Sequence, residues 1–205
     1  MKRPYKIGSP NWKKKEIKRM SKNYDSLIKG GTLATHESAE PVDIAIKDGQ
    51  FAALGSFSDS KAGEIADEVI DATGLTILPG VIDTQVHFRE PGLGAKEDLE
   101  SGSRAAVMGG VTAVFEMPNT KPPTTTAEAV AEKVSLGQDR MHCDFAFYVG
   151  GTPDNAETLP ELEKLSGVCG VKVFMGSSTG NLLVADDDGV GRILKAIKRR
   201  AAFHS

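Results

Sequence analysis

VIDTQVHFREPG, residues 81–92, decides how this chain is read. The stretch starts apolar, places Gln85, His87 and Arg89 at alternate positions, and ends in an acidic Pro-Gly turn. Residues two apart in a strand project from one face, so Gln85 and His87 are expected to point the same way, with Arg89 just beyond on the exit loop. Three such groups at the end of an apolar strand suggest one shared reactive site.

Working outward from that strand, the rhythm after Gly80 is strand, helix, strand. Apolar strand candidates follow at VTAVFEMP (111–118), CDFAFYVGG (143–151), GVKVFMG (170–176) and RAAFHS (200–205). Helical candidates lie between them at DLESGSRAAVMGG (98–110), TTAEAVAEKVSLGQDR (125–140), ETLPELEKLSG (157–167) and DDGVGRILKAIKRR (187–200). Near-continuous apolar strands repeating every ~30 residues argue for a parallel sheet covered by helices. No G-x-G-x-x-G follows the first strand, and the polar residues gather at carboxyl-terminal strand ends, where a (β/α)8 barrel keeps its active site. A whole barrel takes about 250 residues, and 125 follow Gly80. The expected fold class is therefore α/β: a partial (β/α)8 TIM barrel of about five strands over residues 80–205, in a chain read as a fragment of a longer protein.

Upstream, YDSLIKGGTLA (24–34), VDIAIKDGQFAALG (42–55) and EVIDATGLTILPG (68–80) alternate apolar and polar residues, with Gly-Gly and Asp-Gly at the turns. That is a hairpin pattern, so residues 24–79 are expected to form a small β unit. Residues 1–23 hold nine Lys or Arg against Glu16, a net of +8 in a chain of net −3. A basic tail can bind nucleic acid or anionic lipid, but neither aromatic interleaving nor helical periodicity supports a binding module. With Met20 a natural start, a disordered tail or upstream extension is expected there, and neither nucleic acid nor membrane as a partner.

Composition agrees with a soluble globular protein: 40% of residues are apolar and 26% charged. No apolar run reaches the ~20 residues of a membrane span, and no hydrophobic leader is visible, so a cytoplasmic location is expected. Cys143 and Cys169 are isolated thiols outside any C-x-x-C pair, which suits buried structural cysteines. Of the four histidines, His36 falls in a turn and is expected to be solvated, and His142 precedes the third barrel strand at its structural end.

Lys172 sits in the middle of an apolar strand, where an ammonium is costly to bury. Burial lowers a lysine's pKa and leaves a neutral amine, which can take up carbon dioxide to become a carbamate, turning a cation into a metal-bridging anion. His204 closes the fifth strand, and imidazole is a common zinc ligand. Glu116, near the end of the second strand, is equally suited to orienting the site or to bonding backbone. The glycine-rich GSSTGN (176–181) could cradle an anion, but no lysine follows it as in a nucleotide-binding loop.

Taken in order, VIDTQVHFREPG, EMPNT, GVKVFMGSSTG and the final FHS resemble the N-terminal half of dihydroorotases, members of the amidohydrolase superfamily, over residues 24–205. The resemblance implies a (β/α)8 barrel flanked by a β-sandwich, to which residues 24–79 would contribute. It also implies metal-dependent interconversion of L-dihydroorotate and N-carbamoyl-L-aspartate in pyrimidine biosynthesis. By that likeness His87, Lys172 and His204 are metal ligands, Lys172 as a carbamate, around one or two zinc ions, and Arg89 with Asn119 holds the substrate carboxylate. A guanidinium fork and an amide suit that task, and Arg89 favours dihydroorotate over an uncharged ureide. Gln85 departs from the family's H-x-H pair, and an amide oxygen is a poorer zinc ligand than imidazole. The family's general-base aspartate would lie beyond Ser205, so no catalytic base is expected in these residues and none of the turnover either; the full-length protein would form a homodimer. The alternatives are another cyclic amidohydrolase, such as an allantoinase or dihydropyrimidinase, and a non-catalytic dihydroorotase-like partner of aspartate transcarbamoylase.

Overall fold

A computed structural model describes residues 22–176 and 182–205. The basic segment up to Ser21 and residues 177–181 of the glycine-rich stretch lie outside the described residues, and with them the expectations of a disordered tail and an anion cradle. The chain divides into two compact units, one ending at Pro79 and the other running from Gly80 to Ser205.

In the first unit, β1 (Tyr24–Lys29), β4 (Asp43–Lys47), β5 (Gln50–Gly55) and β6 (Ala66–Asp71) form a four-stranded sheet in the order β5-β4-β1-β6. The shorter β2 (Thr32–Ala34), β3 (Ala39–Pro41) and β7 (Thr76–Ile77) form a second sheet in the order β3-β2-β7. The Asp48-Gly49 turn between β4 and β5 takes positive φ at both residues, as the hairpin pattern requires. A helix the alternation pattern did not reveal, α1 (Asp59–Ile65), buries Ala62 against Leu27, Ala45 and Ala66.

One carboxylate organises this unit. Asp43 accepts hydrogen bonds from the Lys29 ammonium at 2.7 Å and from the Gly30 and Phe57 backbone N–H groups, each at 2.9 Å. Burial by itself raises the Asp43 pKa, but the Lys29 hydrogen bond and the two backbone donors outweigh it and hold the carboxyl below its ordinary value. The stabilisation is therefore present above the unfolded-state pKa and is lost as pH falls through the lowered folded value.

In the second unit β8 (Val81–Val86), β9 (Val111–Glu116), β10 (Asp144–Gly150), β11 (Val168–Phe174) and β12 (Ala201–His204) form a wholly parallel sheet in the order β12-β11-β10-β9-β8. Each strand neighbours the next in sequence, the arrangement of a partial (β/α)8 barrel wall. The connections carry α2 (Leu99–Met108), α3 (Ala127–Gly137), the single turn α4 (Leu159–Leu162) and α5 (Asp187–Ala196). Helix α4 is much shorter than its sequence pattern suggests, because Pro160 starts it and Gly167, at positive φ, leads into β11.

Capping fixes the helix starts. Asp98 and Ser101 make a reciprocal capping box on α2, Thr126 caps α3 and Asp186 caps α5. Strand β11 is buried along nearly its whole length, as a central parallel strand should be. Its valines join Val149 of β10 and Ile193 of α5 in one core cluster, and Val114, Phe147, Phe88 and Leu99 make another. Among the described residues no helix is long and apolar enough to cross a membrane.

Replacing Asp43 with Asn leaves the Lys29 ammonium without its counter-charge and is expected to cost about 1–3 kcal/mol at neutral pH. Denaturant unfolding of both proteins should show the gap closing in acid, once the wild-type carboxyl is itself protonated.

Candidate active site

The polar residues singled out in the sequence fall at the carboxyl ends of the parallel strands. His87 and Arg89 follow β8, Asn119 follows β9, Lys172 lies within β11, and His204 ends β12. His87 Nδ1 lies 3.0 Å from Asn119 Oδ1. An amide oxygen only accepts, so Nδ1–H donates and the Nε2 lone pair is left for a ligand.

The charge around His87 is positive. Burial lowers its pKa first, the Arg89 guanidinium lowers it further, the Asn119 bond opposes this, and Lys172 and Lys133 add to the lowering. The imidazole is thereby kept neutral, the form that binds metals. Lys172 is 2% exposed, with its ammonium over the Phe174 ring at 5.3 Å from the centroid. Burial is what lowers its pKa, and no acid contributes. The His204 ring meets that same Phe174 ring, with the two centroids 5.8 Å apart.

Gln85 does not join this group. The pairing of β8 with β9 slips between Asp83 and Val86, where three steps on β8 match two on β9, from Val114 to Glu116. Such a bulge breaks the simple alternation. Gln85 is exposed, with its N–H bonded to the Asp83 carboxylate at 3.0 Å, whereas His87 is half-buried beyond the end of the strand.

The loop carrying Arg89 is firmly held. Arg89 itself has φ of 66°, a left-handed conformation that is uncommon outside glycine and recurs at functional sites. Next to it Glu90 accepts from Leu99 N–H at 3.0 Å, at the start of α2, and takes a two-pronged contact from Arg140 at 3.0 and 3.2 Å. Gly92, with φ of 85°, lets this loop press on the one carrying Asn119: a Cβ there would lie 2.1 Å from the Lys121 carbonyl oxygen.

Beneath both loops is an ion pair that the sequence reading missed on one side. Glu116 of β9 meets Lys133 of α3, and each side chain is 1% exposed. Burial raises the Glu116 pKa to about 7 against the opposing pull of Lys133, and burial lowers that of Lys133. The signal was present in the sequence: Lys133 falls on the stripe of α3 that otherwise buries Val130 and Gly137, where an unpaired lysine would not be tolerated.

The remaining candidates are structural. His142 bonds Glu100 through Nε2 at 3.0 Å, and its N–H donates to Ser103. His36 is solvated, with a side chain 90% exposed. Both cysteines are only partly buried, and burial pushes Cys169 up to about 12, so neither is a ready thiolate. A groove of about 780 Å³ opens at the opposite ends of β9 and β10, lined by Thr112, His142 and Cys143 among others, and contains none of His87, Arg89, Asn119, Lys172 and His204.

Among the described residues no group of three or more His, Cys, Asp or Glu could hold a metal. A metal centre here would have to use His87, His204 and a modified Lys172. The surrounding positive charge suits that only once Lys172 carries a carbamate, because the same change removes a cation and adds an anionic ligand.

A sequence profile of the Amidohydrolase family matches residues 76–186. The chain is similar to a dihydroorotase of Methanosarcina mazei, 38% identical over 87% of this chain and 38% of that protein. It is similar as well to an allantoinase of Rubrobacter xylanophilus, 40% identical over 80% of this chain and 35% of that protein. The solved L-hydantoinase (dihydropyrimidinase) of Arthrobacter aurescens superposes with a TM-score of 0.74 at 34% identity, covering 83% of this chain and 37% of that one. The chain thus spans well under half the length of these relatives.

Gly92→Ala should cost more than ~1 kcal/mol, since both the backbone conformation and the Lys121 contact forbid a side chain. Thermal unfolding, read together with proteolysis of the loops at 89–93 and 118–124, would check this; unchanged stability and cleavage would contradict the packing described.

Proposed function

The chain belongs to the amidohydrolase family, and on that premise we propose that it forms part of a metal-dependent hydrolase acting on the C–N bond of a cyclic amide, with L-dihydroorotate and N-carbamoyl-L-aspartate as its substrate pair. The observation that carries the proposal is the 3.0 Å bond between His87 and Asn119. It joins a metal-ligand candidate to a substrate-binding candidate from the neighbouring strand, with Arg89 two residues from one of them.

His87, Lys172 as a carbamate and His204 would hold the metal, with zinc the ion best matched to imidazole and oxygen ligands. When bound, the metal supplies Lewis-acid polarisation of the ring carbonyl and an activated water. The chain's own residues do the rest: Asn119 fixes the His87 tautomer, Arg89 and Asn119 receive the substrate carboxylate, and buried Lys172 offers the neutral amine from which a carbamate forms. A proton-accepting aspartate is not assigned among these residues.

The choice of dihydroorotate rests on charge. Allantoin and hydantoins lack the ring carboxylate that dihydroorotate carries, and the Arg89 guanidinium stands within electrostatic reach of His87 to receive it. An allantoinase relative of similar identity keeps a second reading in view, and a substrate comparison separates the two. In the full-length protein, Arg89→Met should lower the ratio of kcat/KM for dihydroorotate over an uncharged cyclic ureide by on the order of 10²-fold, the weight of a desolvated charged pair. An unchanged ratio would remove Arg89 from substrate recognition and dihydroorotate from first place.

Gln85 offers a second test. Because position 85 is exposed and set apart from His87, Gln85→His should leave the metal retained after dialysis against a chelator unchanged, measured by elemental analysis. A rise in retention would place position 85 at the metal centre instead.

A further inference from the structure

Burying a lysine and a glutamate beneath the site is costly, and a pair of apolar side chains would fill the same space as well or better. We propose that Lys133 and Glu116 are positioning residues: their ion pair locks the His87–Arg89 segment and the Met117–Asn119 segment into one rigid unit. The inference relies on the proposed function only for which residues form the site.

The geometry makes the link on both strands. Lys133 Nζ, besides meeting the Glu116 carboxylate, donates to the Met117 carbonyl at 2.9 Å and lies 5.1 Å from the Phe147 ring centroid. Glu116 stands opposite Val86 in the β8–β9 ladder, and Met117 N–H donates to Val86 carbonyl oxygen at 3.0 Å. Neither carboxylate oxygen of Glu116 makes a well-aligned hydrogen bond; the Lys133 contact and, less directly, the Phe88 N–H face it instead.

His87 is therefore fixed on both sides. Val86 before it is tied through its carbonyl, and Phe88 after it through a ring pressed on Gly102 of α2, where a Cβ would lie 2.3 Å away. Met117, two residues ahead of Asn119, is held at its N–H by Val86 and at its carbonyl by Lys133. The His87–Asn119 bond joins the far ends of these two tied segments. An apolar pair could not donate to the Met117 carbonyl, and a lone buried lysine there would lack the counter-charge that Glu116 supplies, so packing alone does not account for the charges.

Hydrogen–deuterium exchange of the full chain, read on peptides covering 86–92 and 117–121, tests this without any turnover, so its outcome is separate from whether the protein is a hydrolase. In the unmodified protein both segments should exchange as slowly as α3, to which the pair ties them; exchange of either at the rate of an open loop overturns the proposal whether or not any variant folds. Lys133→Met/Glu116→Leu preserves the volume, and both segments should then exchange faster by on the order of tenfold or more while β10 is unchanged. Glu116→Gln with Lys133 retained keeps the donor to the Met117 carbonyl and should return the 117–121 segment toward its unmodified rate. Unmodified rates in the Leu variant, or no rescue by Gln, would mean that the pair only fills the core.

Discussion

A strand buried on both faces has nowhere inexpensive to put a polar side chain except its ends, and the second unit is organised by that constraint. Along β10 and β11 the interior positions are filled by Phe147, Val149, Val171 and Val173, all without exposed surface. Polar residues are thereby pushed to the carboxyl ends, where His87 and Arg89 after β8, Asn119 after β9 and His204 at the end of β12 lie along one rim of the parallel sheet. The capped helices and the paired Glu90 then fix how those ends leave the sheet.

The exceptions to the constraint are informative because each carries a cost. Lys172 is buried with no acid to balance it, and burial lowers its pKa from the ordinary lysine value. Lys133 and Glu116 are buried as partners, and breaking such a pair by removing one member is far more damaging than replacing both. Lys172 of β11, Glu116 of β9 and Lys133 of α3 all lie within electrostatic reach of the same loops, and Lys133 serves the backbone of one of them directly through the Met117 carbonyl.

Much of this was legible in the sequence, for definite reasons. The five parallel strands could be read because each is short and apolar, and three of them are followed by helices that Asp98, Thr126 and Asp186 announce as caps. Helix α1 was not legible, since its seven residues bury little beyond Ala62 and show no sustained period. Helix α4 was overread because its Leu and Glu spacing continues past the point where backbone geometry stops it. The placement of Gln85 beside His87 followed from strict alternation, and a bulge is the one feature that alternation cannot foresee. Lys133 was overlooked because a lysine in a helix is normally a solvated residue; only its place on the buried stripe sets it apart.

The relation between Gln85 and the rest of the site can now be argued from charge instead of from motif. Around His87 the nearby charges are cationic, and an additional imidazole at position 85 would serve only if a metal were already held by other groups. In the proposed site a carbamate on Lys172 would be the group that lets this rim take a cation, while Gln85, exposed and turned to Asp83, would leave the ligand positions to His87, Lys172 and His204.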